Sequence, residues 1–384
     1  MTRLQPGSAD EVLEIVRAAM AQETPLHIIG SGSRDVGGAV DAQTMLDLTG
    51  LTGVTLYEPE ELVLSARAGT KLCEIERLLA ASGQELAFEP MDLAPLLGGE
   101  PNQSTIGGVL ASNASGPRRI KAGAARDHVL GVHAVSGFGE MFKSGGRVVK
   151  NVTGYDLSKV MAGSWGTLAA VTDVTFKVLP AAENEATLVL RGLSEEEAAH
   201  AMALAMTSSG EVSAAAHLPE TVAGKVLSGG FKGWRGATLL RLEGFAPSVA
   251  YRFGELAKLL GDMATPERLE TEESRILWRE IRDCVPFADG TQKPVWRVSV
   301  TPSQGHHMVM ALRMEAAVDA FYDWQGGLIW LRMEDEAQGE AVRRQIAAHG
   351  GGHATLIRAA QDVRAATPIF QPQPDALAHL SRQL

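Results

Sequence analysis

Small residues form a loop directly after the first buried strand that the sequence predicts. The strand Pro25-Leu-His-Ile-Ile29 runs into Gly30-Ser-Gly-Ser-Arg34, and Gly37 and Gly38 follow. Glycine and serine leave backbone N–H groups uncovered, and successive N–H groups that turn inward bind anions. The loop fails the G-x-G-x-x-G fingerprint of a Rossmann turn, because Asp35 stands at the third glycine position and no helix follows. We therefore predict an anion-binding nest outside a Rossmann fold.

A second run of small residues, Ser104-Thr-Ile-Gly-Gly-Val-Leu-Ala-Ser-Asn-Ala-Ser-Gly116, predicts a short helix. Thr105 stands at the capping position, and we expect Gly107 and Gly108 to leave the first-turn amides exposed. The alternative is a helix whose glycines pack tightly against a strand. If both loops bind anions, they would grip the diphosphate of an extended dinucleotide from two sides.

Several familiar nucleophile, metal and phosphate motifs are absent from the sequence. It contains no G-x-S-x-G elbow, no H-E-x-x-H pair and no G-x-x-x-x-G-K-[ST] loop. His349-Gly-Gly-Gly352 resembles the oxyanion loop of some esterases, but no nucleophile elbow accompanies it. A hydrolase is therefore not expected.

The composition narrows the class of protein further. The chain has 384 residues with a formal net charge of −11, which argues against a dedicated nucleic-acid binder. Its two cysteines, Cys73 and Cys284, are too few for a zinc site, an iron–sulfur cluster or a disulfide framework. No apolar stretch of membrane-spanning length and no secretory signal is found, so we expect a cytoplasmic protein of mixed α and β structure. Its 41 glycines alone would also be explained by tight turns in a strand-rich fold.

Capping patterns and hydrophobic periodicity place the elements that position these loops. Ser8-Ala-Asp-Glu11 and Ser194-Glu-Glu-Glu197 are capping boxes, and each predicts a helix. Ala181-Ala-Glu-Asn-Glu185 is a predicted linker, which divides the chain into domains 1–180 and 181–384. After the linker, strands such as Val295–Val300 alternate with helices, which predicts an α+β domain with a mainly antiparallel sheet.

The sequence also resembles a known family of flavoproteins. The matching segments are Thr105–Gly116, Ala125–Gly131, Lys150–Leu157 and Gly163–Val171, with the Gly30 loop upstream. In order and spacing they are similar to the FAD-binding domain of the vanillyl-alcohol-oxidase type, also called PCMH-type, over residues 5–180.

Within that superfamily the chain most resembles the E subunits of glycolate oxidase, also called glycolate dehydrogenase. The similarity extends across the chain through Asn113–Arg119, Trp296–Ser299, Asp323-Trp324 and Gly351–Arg358. The resemblance implies an α+β protein in which two α/β lobes hold FAD and residues 181–384 form a cap domain over it.

The resemblance also implies which residues contact the cofactor. They are Gly30, Ser31, Gly32, Ser33, Arg34, Pro90, Thr105, Gly107, Gly108, Ser112, Asn113 and Val171. Amides and hydroxyls suit a diphosphate, and apolar residues suit the ring faces. Covalent members of the superfamily often carry His in the first loop, where this chain has Ser33 and Arg34, so we expect FAD to be bound non-covalently.

The sequence does not identify a catalytic residue. His353, Arg297 and Arg358 are the candidates, although His353 also fits a strand end and each arginine also fits a structural ion pair. The H-x-x-D-G-N-x-H-like metal segment of the catalytic 2-hydroxy-acid dehydrogenases has no match here, so no metal site is expected. Lys150 and Tyr155 fall near the flavin or beneath it, and the sequence does not decide between the two.

These observations predict an FAD-dependent oxidoreductase that acts on CH–OH donors as one subunit of a glycolate-oxidising complex. The resemblance implies a sister flavin subunit and an iron–sulfur subunit as partners, with membrane association only through those partners. The missing metal segment favours electron relay over substrate oxidation by this chain. A self-sufficient FAD-dependent 2-hydroxy-acid dehydrogenase and a non-redox scaffold subunit are the alternatives.

Overall fold

A computed structural model describes residues 2–37, 40, 42–147, 154–226, 228 and 236–383. The first part of the chain contains strands β1 (Thr2–Leu4), β2 (Leu26–Ile29), β3 (Thr44–Asp47), β4 (Val54–Glu58), β5 (Val63–Arg67), β6 (Gln84–Glu85), β7 (Val129–Ser136), β8 (Met141–Gly145), β9 (Ala169–Lys177) and β10 (Leu179–Pro180). Its helices are α1 (Ala9–Ala21), α2 (Leu72–Ala81), α3 (Ile106–Ser112), α4 (Arg119–Ala122), α5 (Ala125–His128) and α6 (Leu157–Met161).

The second part begins with β11 and continues to the end of the described chain. Its strands are β11 (Asn184–Arg191), β12 (Ala214–Pro219), β13 (Gly236–Gly244), β14 (Pro266–Leu269), β15 (Val295–Val300), β16 (Val318–Asp323), β17 (Leu328–Met333) and β18 (Gly352–Arg358). Its helices are α7 (Glu195–Thr207), α8 (Glu220–Ala223), α9 (Ala246–Leu260), α10 (Thr271–Arg282), α11 (Gly305–Arg313), α12 (Gly339–Ala348), α13 (Gln361–Ala366) and α14 (Asp375–Gln383).

Two sheets build the N-terminal part as two α/β lobes. A parallel sheet of order β1-β3-β2 packs against α1, with Val12, Val16 and Leu46 in the shared core. An antiparallel sheet of order β4-β5-β9-β7-β8 packs against α2 and α3 around a second core. The end of β2 and the start of α3 lie where the two lobes meet, which brings the two small-residue loops together.

An eight-stranded sheet of order β14-β11-β13-β12-β16-β17-β15-β18 forms the C-terminal part, and each of its described strand pairs is antiparallel. Helices α7, α9, α11 and α12 cover one face of this sheet. The opposite face carries Arg241 and Arg297 and lies toward the N-terminal part. Glu89 of that part accepts from Arg241, and Trp324, which follows β16, lies against both Arg297 and Arg119 of the N-terminal part. This arrangement confirms the predicted fold class, two α/β lobes followed by an α+β cap with a mainly antiparallel sheet.

The local predictions hold where a capping box or a β-branched strand fixes the element. Ser194 Oγ accepts from the Glu197 amide and the Glu197 carboxylate accepts from the Ser194 amide, which is the predicted capping box of α7. The predicted strand Val295–Val300 has the bounds of β15. The domain boundary at residue 180 stays a prediction, although β10 and β11 do belong to different sheets.

An interdomain salt-bridge network joins the two parts; its members are Glu89, Arg118, Arg241 and Glu243. Arg241 donates from Nη1 and Nη2 to the two carboxylate oxygens of Glu89, at 2.7 and 2.9 Å. Arg118 donates to Glu243 at 2.7 Å. Burial alone raises the pKa of Glu89, but the guanidiniums of Arg241 and Arg118 outweigh it and lower that pKa to about 2.

Candidate functional site

A cleft of about 830 Å³ opens between the two N-terminal lobes. Its volume lies in the range that holds a bound cofactor. The residues implied by the sequence that line it are Gly30, Ser31, Gly32, Ser33, Arg34, Thr105, Gly107, Gly108 and Val171. Nine positions drawn from three separate segments therefore meet at one surface.

The first loop provides a row of unpaired amides. The N–H groups of Ser31, Gly32, Ser33 and Arg34 make no hydrogen bond to any described part of the chain. Gly32 has φ +73°, a backbone conformation that L side chains rarely adopt, and it turns this row inward. The Ser31 and Ser33 hydroxyls lie 3.0 Å apart and add further polar groups. Uncovered amides with adjacent hydroxyls suit a diphosphate.

Arg34 adds a positive charge at the same place. Its Nη1 donates to Ser112 Oγ at 3.3 Å and its Nη2 donates to the Met91 carbonyl, while its buried Nε has no partner within the described residues. Burial lowers the pKa of Arg34 to about 10, and Asp92 partly opposes that shift. An unpaired buried donor is costly unless a ligand accepts from it, so Arg34 is suited to an anion in the cleft.

The expectation that α3 presents free amides is wrong. The Ile106 and Gly107 amides donate to the Thr70 and Ala68 carbonyls, at 3.0 and 2.8 Å. The Gly108 amide donates to Thr105 Oγ1 at 3.2 Å. A Cβ on Gly107 would lie 2.9 Å from the Ala68 backbone oxygen, so this glycine serves close packing of the helix on the strand end. The second loop thus gives the cleft its shape, and the first gives it its unpaired amides.

The opposite wall comes from residues that sequence reasoning missed. Gln361, Arg364 and Ala365 of α13 line the cleft although they lie near the C-terminal end of the described chain. Arg364 donates to the Gly37 carbonyl at 2.7 Å and pairs with Asp35 at 3.2 Å. This pair offsets the carboxylate that would otherwise repel a diphosphate at the first loop. No motif marked α13, because its role depends on a tertiary contact.

A ring contact holds the same wall at a second point. Trp165 lines the cleft with φ +55°, and its ring centroid lies 5.8 Å from that of Phe370. The predicted segment Gly163–Val171 contained this tryptophan, but sequence reasoning assigned a contact only to Val171. Val171 lies in β9 and contributes to the apolar side of the cleft.

Three of the implied cofactor residues lie outside the lining. Ser112 donates its hydroxyl to the Gly108 carbonyl at 2.7 Å and accepts from Arg34, so it positions that arginine. Asn113 ends α3 with φ 47° and accepts from the Arg126 amide at 3.0 Å. Pro90 is buried between Glu89 and Met91, the residue whose carbonyl accepts from Arg34. Their assignment to FAD stays a prediction.

The catalytic candidates fall into two environments. Arg358 is buried and donates to the carbonyls of Lys293, Leu96 and Phe287, so its guanidinium ties the C-terminal part to the loop at Leu96. His353 is exposed at the start of β18, and Arg297 lies on the adjacent strand β15 with Nη2 unpartnered. The structure therefore separates Arg358 from the other two.

Tyr155 and Lys150 are the two residues that the sequence placed near the flavin or beneath it. Tyr155 is 93% exposed, so it does not pack beneath the cleft. Lys150 lies outside the described residues.

Comparisons with known proteins show the family to which the chain belongs. Residues 3–145 match the model of the FAD binding domain family. The chain is 36% identical over 354 residues to glycolate oxidase subunit GlcE of Escherichia coli, covering 91% of this chain and 86% of that protein. It belongs to this family of FAD-binding glycolate oxidase subunits.

The chain is also similar to one further relative and to one solved structure. Glycolate oxidase subunit GlcD of Bacillus subtilis is 30% identical over 186 residues, which are 48% of this chain and 38% of that protein. An alkyldihydroxyacetonephosphate synthase structure superposes with a TM-score of 0.69 at 17% identity, covering 91% of this chain and 72% of that one. The structural likeness shows the fold alone.

FAD is the cofactor of this oxidoreductase family, and the cleft fits it. The loop Ser31–Arg34 would hold the diphosphate, and the apolar lining that includes Ile28, Met45 and Val171 would hold ring faces. Among the described residues no group of three or more His, Cys, Asp or Glu side chains is arranged to bind a metal ion. No helix in the described ranges is long and apolar enough to cross a membrane.

Proposed function

We propose that this chain is the FAD-binding subunit of a multi-subunit complex that oxidises glycolate or a related 2-hydroxy acid. The observation that carries the proposal is the 36% identity to a glycolate oxidase subunit over nearly the full length of both chains. The free amides and the unpaired Arg34 Nε at the cleft support the proposal. Buried donors are normally hydrogen-bonded, and a bound cofactor would supply the acceptor that these donors lack.

FAD, when bound, accepts the two electrons that leave the CH–OH carbon of the substrate. The residues of this chain bind and position the cofactor. The amides of Ser31–Arg34 and the guanidinium of Arg34 would hold the diphosphate, and the Arg364–Asp35 pair would keep α13 over the first loop. We propose that the electrons then pass to an iron–sulfur partner, because the two cysteines of this chain are too few to hold a cluster.

The cofactor arm of the proposal is tested by the Arg34→Met variant. Each lost charge-assisted hydrogen bond costs about 1.5–3 kcal/mol, so FAD should bind about 10- to 100-fold more weakly. The measurement is a titration of FAD fluorescence quenching on the full chain. Arg126→Met is the matched control, because Arg126 is exposed and outside the lining, and it should bind FAD as the wild type does.

The complex arm is tested by purifying the tagged chain with its natural partners. We expect a flavin spectrum, iron in the same complex and glycolate-dependent reduction of a dye acceptor, with no turnover by the chain alone. Turnover by the flavin-loaded chain alone would instead establish a self-sufficient dehydrogenase. Failure of the wild-type chain to bind FAD would establish a scaffold subunit.

A further inference from the structure

Two arginines from different domains converge on one tryptophan; we call Arg119, Arg297, Trp324 and His353 the arginine–tryptophan cluster. The guanidinium carbons of Arg119 and Arg297 lie 4.5 and 4.9 Å from the Trp324 ring centroid. Arg119 belongs to the segment after α3, and Arg297 lies on the sheet face that meets it. The cluster is therefore interdomain and lies outside the lining of the cleft.

The backbone holds Trp324 in this place against its conformational preference. Trp324 and Gln325 have φ +51° and +62°, two consecutive non-glycine residues in the left-handed region. The indole Nε1 donates to the Gly116 carbonyl at 2.9 Å, which ties the ring to the N-terminal part. Such strain persists where the surrounding structure fixes it and is concentrated at functional sites.

The cationic groups of the cluster have no acid paired with them. Arg297 Nη2 is buried and has no hydrogen-bond partner, and neither arginine forms an ion pair with an acid of the described chain. Burial and, to a lesser extent, the charge of Arg119 lower the pKa of Arg297 to about 10.

The acids that act on the cluster do so from a distance. Asp323 acts electrostatically on Arg297, and Asp127 acts on Arg119. Burial raises the pKa of the Asp323 carboxyl to about 7, so around neutral pH it supplies at most part of a negative charge.

The cluster opens to solvent through His353. This side chain is exposed at the start of β18, and its backbone pairs with Ser299, two residues along β15 from Arg297. Burial lowers the pKa of His353, and the charges of Arg297 and Arg119 also lower it. His353 therefore lies at the solvent-exposed edge of the cluster, on the strand next to that of Arg297.

We propose that Arg119 and Arg297 bind the carboxylate of a small 2-hydroxy acid, with Trp324 as the platform that fixes both guanidiniums. The planar guanidinium matches the planar carboxylate, and a ligand carboxylate accepts from Arg297 Nη2 and neutralises two like charges at once. This inference rests on the proposed function, because that function supplies the class of the acid. It assigns acid binding to this chain, beyond holding the cofactor.

The test is calorimetric titration of glycolate into the FAD-saturated full chain. We expect Arg297→Met and Arg119→Met each to weaken glycolate binding about 10- to 100-fold. Arg297→Lys keeps the charge without the planar fork, so it should recover part of the loss. The Arg126→Met variant, whose arginine lies on the same stretch of chain but is exposed, should bind like the wild type.

Two further titrations define the ligand class. Ethylene glycol has the size of glycolate without its carboxylate and should not bind, whereas inorganic phosphate should compete at least 10-fold less well than glycolate. Glycolate binding that is unchanged in Arg297→Met and Arg119→Met would overturn the proposal, and so would equal competition by phosphate. Thermal midpoints of each variant confirm that it is folded.

The flavin absorbance of the same samples separates this inference from the function on which it rests. Arginine-dependent glycolate binding by a chain without flavin would support the inference and contradict the proposed function. Flavin binding without glycolate binding would overturn the inference and leave the proposed function standing.

Discussion

The N-terminal and C-terminal parts meet through two groups of buried or partly buried arginines that differ in one respect. In the salt-bridge network, Arg241 and Arg118 each donate to a carboxylate of the other part of the chain, at 2.7 Å. In the arginine–tryptophan cluster, Arg119 and Arg297 contact an aromatic ring and no acid of the described chain. One interface thus contains paired charge in one region and unpaired charge in another.

The difference separates docking from ligand binding. Buried charges that are fully paired hold two surfaces in one register, although they add little net stability over apolar residues. A buried charge without a partner lowers the free energy of unfolding, because no hydrogen bond or ion pair compensates for its lost hydration. Its presence indicates that the missing counter-charge comes from outside the chain. The comparison therefore predicts opposite responses when charges are removed from the two regions.

The largest effect is expected for Glu89→Ala in the salt-bridge network. Arg241, whose side chain is 2% exposed, would lose both hydrogen bonds to Glu89 and keep the Glu243 carboxylate at 3.7 Å and the Trp278 ring at 4.8 Å. Leaving one buried charge uncompensated should lower the free energy of unfolding by about 3–5 kcal/mol. Urea unfolding measures it. The double variant Glu89→Ala/Arg241→Met should recover much of the loss, and a double variant as unstable as the single one would contradict the pairing argument.

A somewhat smaller effect is expected for Asp323→Asn beside the cluster. Burial raises the pKa of this carboxyl from 3.8 to about 7, so the folded state keeps a proton that the unfolded chain releases. The wild-type free energy of unfolding should therefore fall as the pH rises from 4 to 8, by roughly 3–4 kcal/mol from this group. The amide can still accept from the Trp324 amide, as Asp323 does at 2.7 Å. Unfolding curves across this pH range should show a smaller decline in the variant; parallel curves would refute the assignment.

The contribution of Glu89 to the free energy of unfolding should have the opposite pH dependence to that of Asp323, because it is lost in acid. The pKa of Glu89 is lowered from 4.5 to about 2, so its contribution is complete above 4.5 and is lost as the pH falls toward 2. The loss amounts to roughly 3 kcal/mol. Tryptophan fluorescence during acid titration follows it. The Glu89→Ala/Arg241→Met variant lacks this pair and should lose less stability over the same range, and an identical loss would exclude Glu89 as its source.

The smallest effect is expected for Arg297→Met in the cluster. The variant removes an unpaired buried donor but also a cation–π contact, and the two terms nearly cancel. The free energy of unfolding should rise by about 0–1 kcal/mol. A decrease of more than about 2 kcal/mol would mean that the cluster docks the domains as the salt-bridge network does.

Local chemistry made part of this molecule predictable from sequence. The Ser194 capping box and the alternating residues of Val295–Val300 fix their elements within a few residues of chain. The Gly30–Arg34 loop was predicted to hold an anion because its residue types leave amides uncovered. Each of these signals depends on neighbours in sequence.

The rest depends on contacts between distant segments. The amides of α3 looked available, but the carbonyls of Ala68 and Thr70 accept from them, and that pairing follows only once strand and helix meet. Arg119 and Arg297 meet only because the cap sheet lies over the segment after α3. Neither contact could be predicted from the residue types near the two positions in the sequence.

The position of α13 has a consequence for synthesis of the chain. The cleft has its loops in place once residue 171 has been made, but its far wall needs Arg364 and the Trp165–Phe370 contact. Domains fold from the N-terminus during translation. A nascent chain on the ribosome therefore passes through a long interval in which the proposed cofactor loops exist without α13. FAD bound at these loops could enter the cleft during that interval, before its far wall is in place.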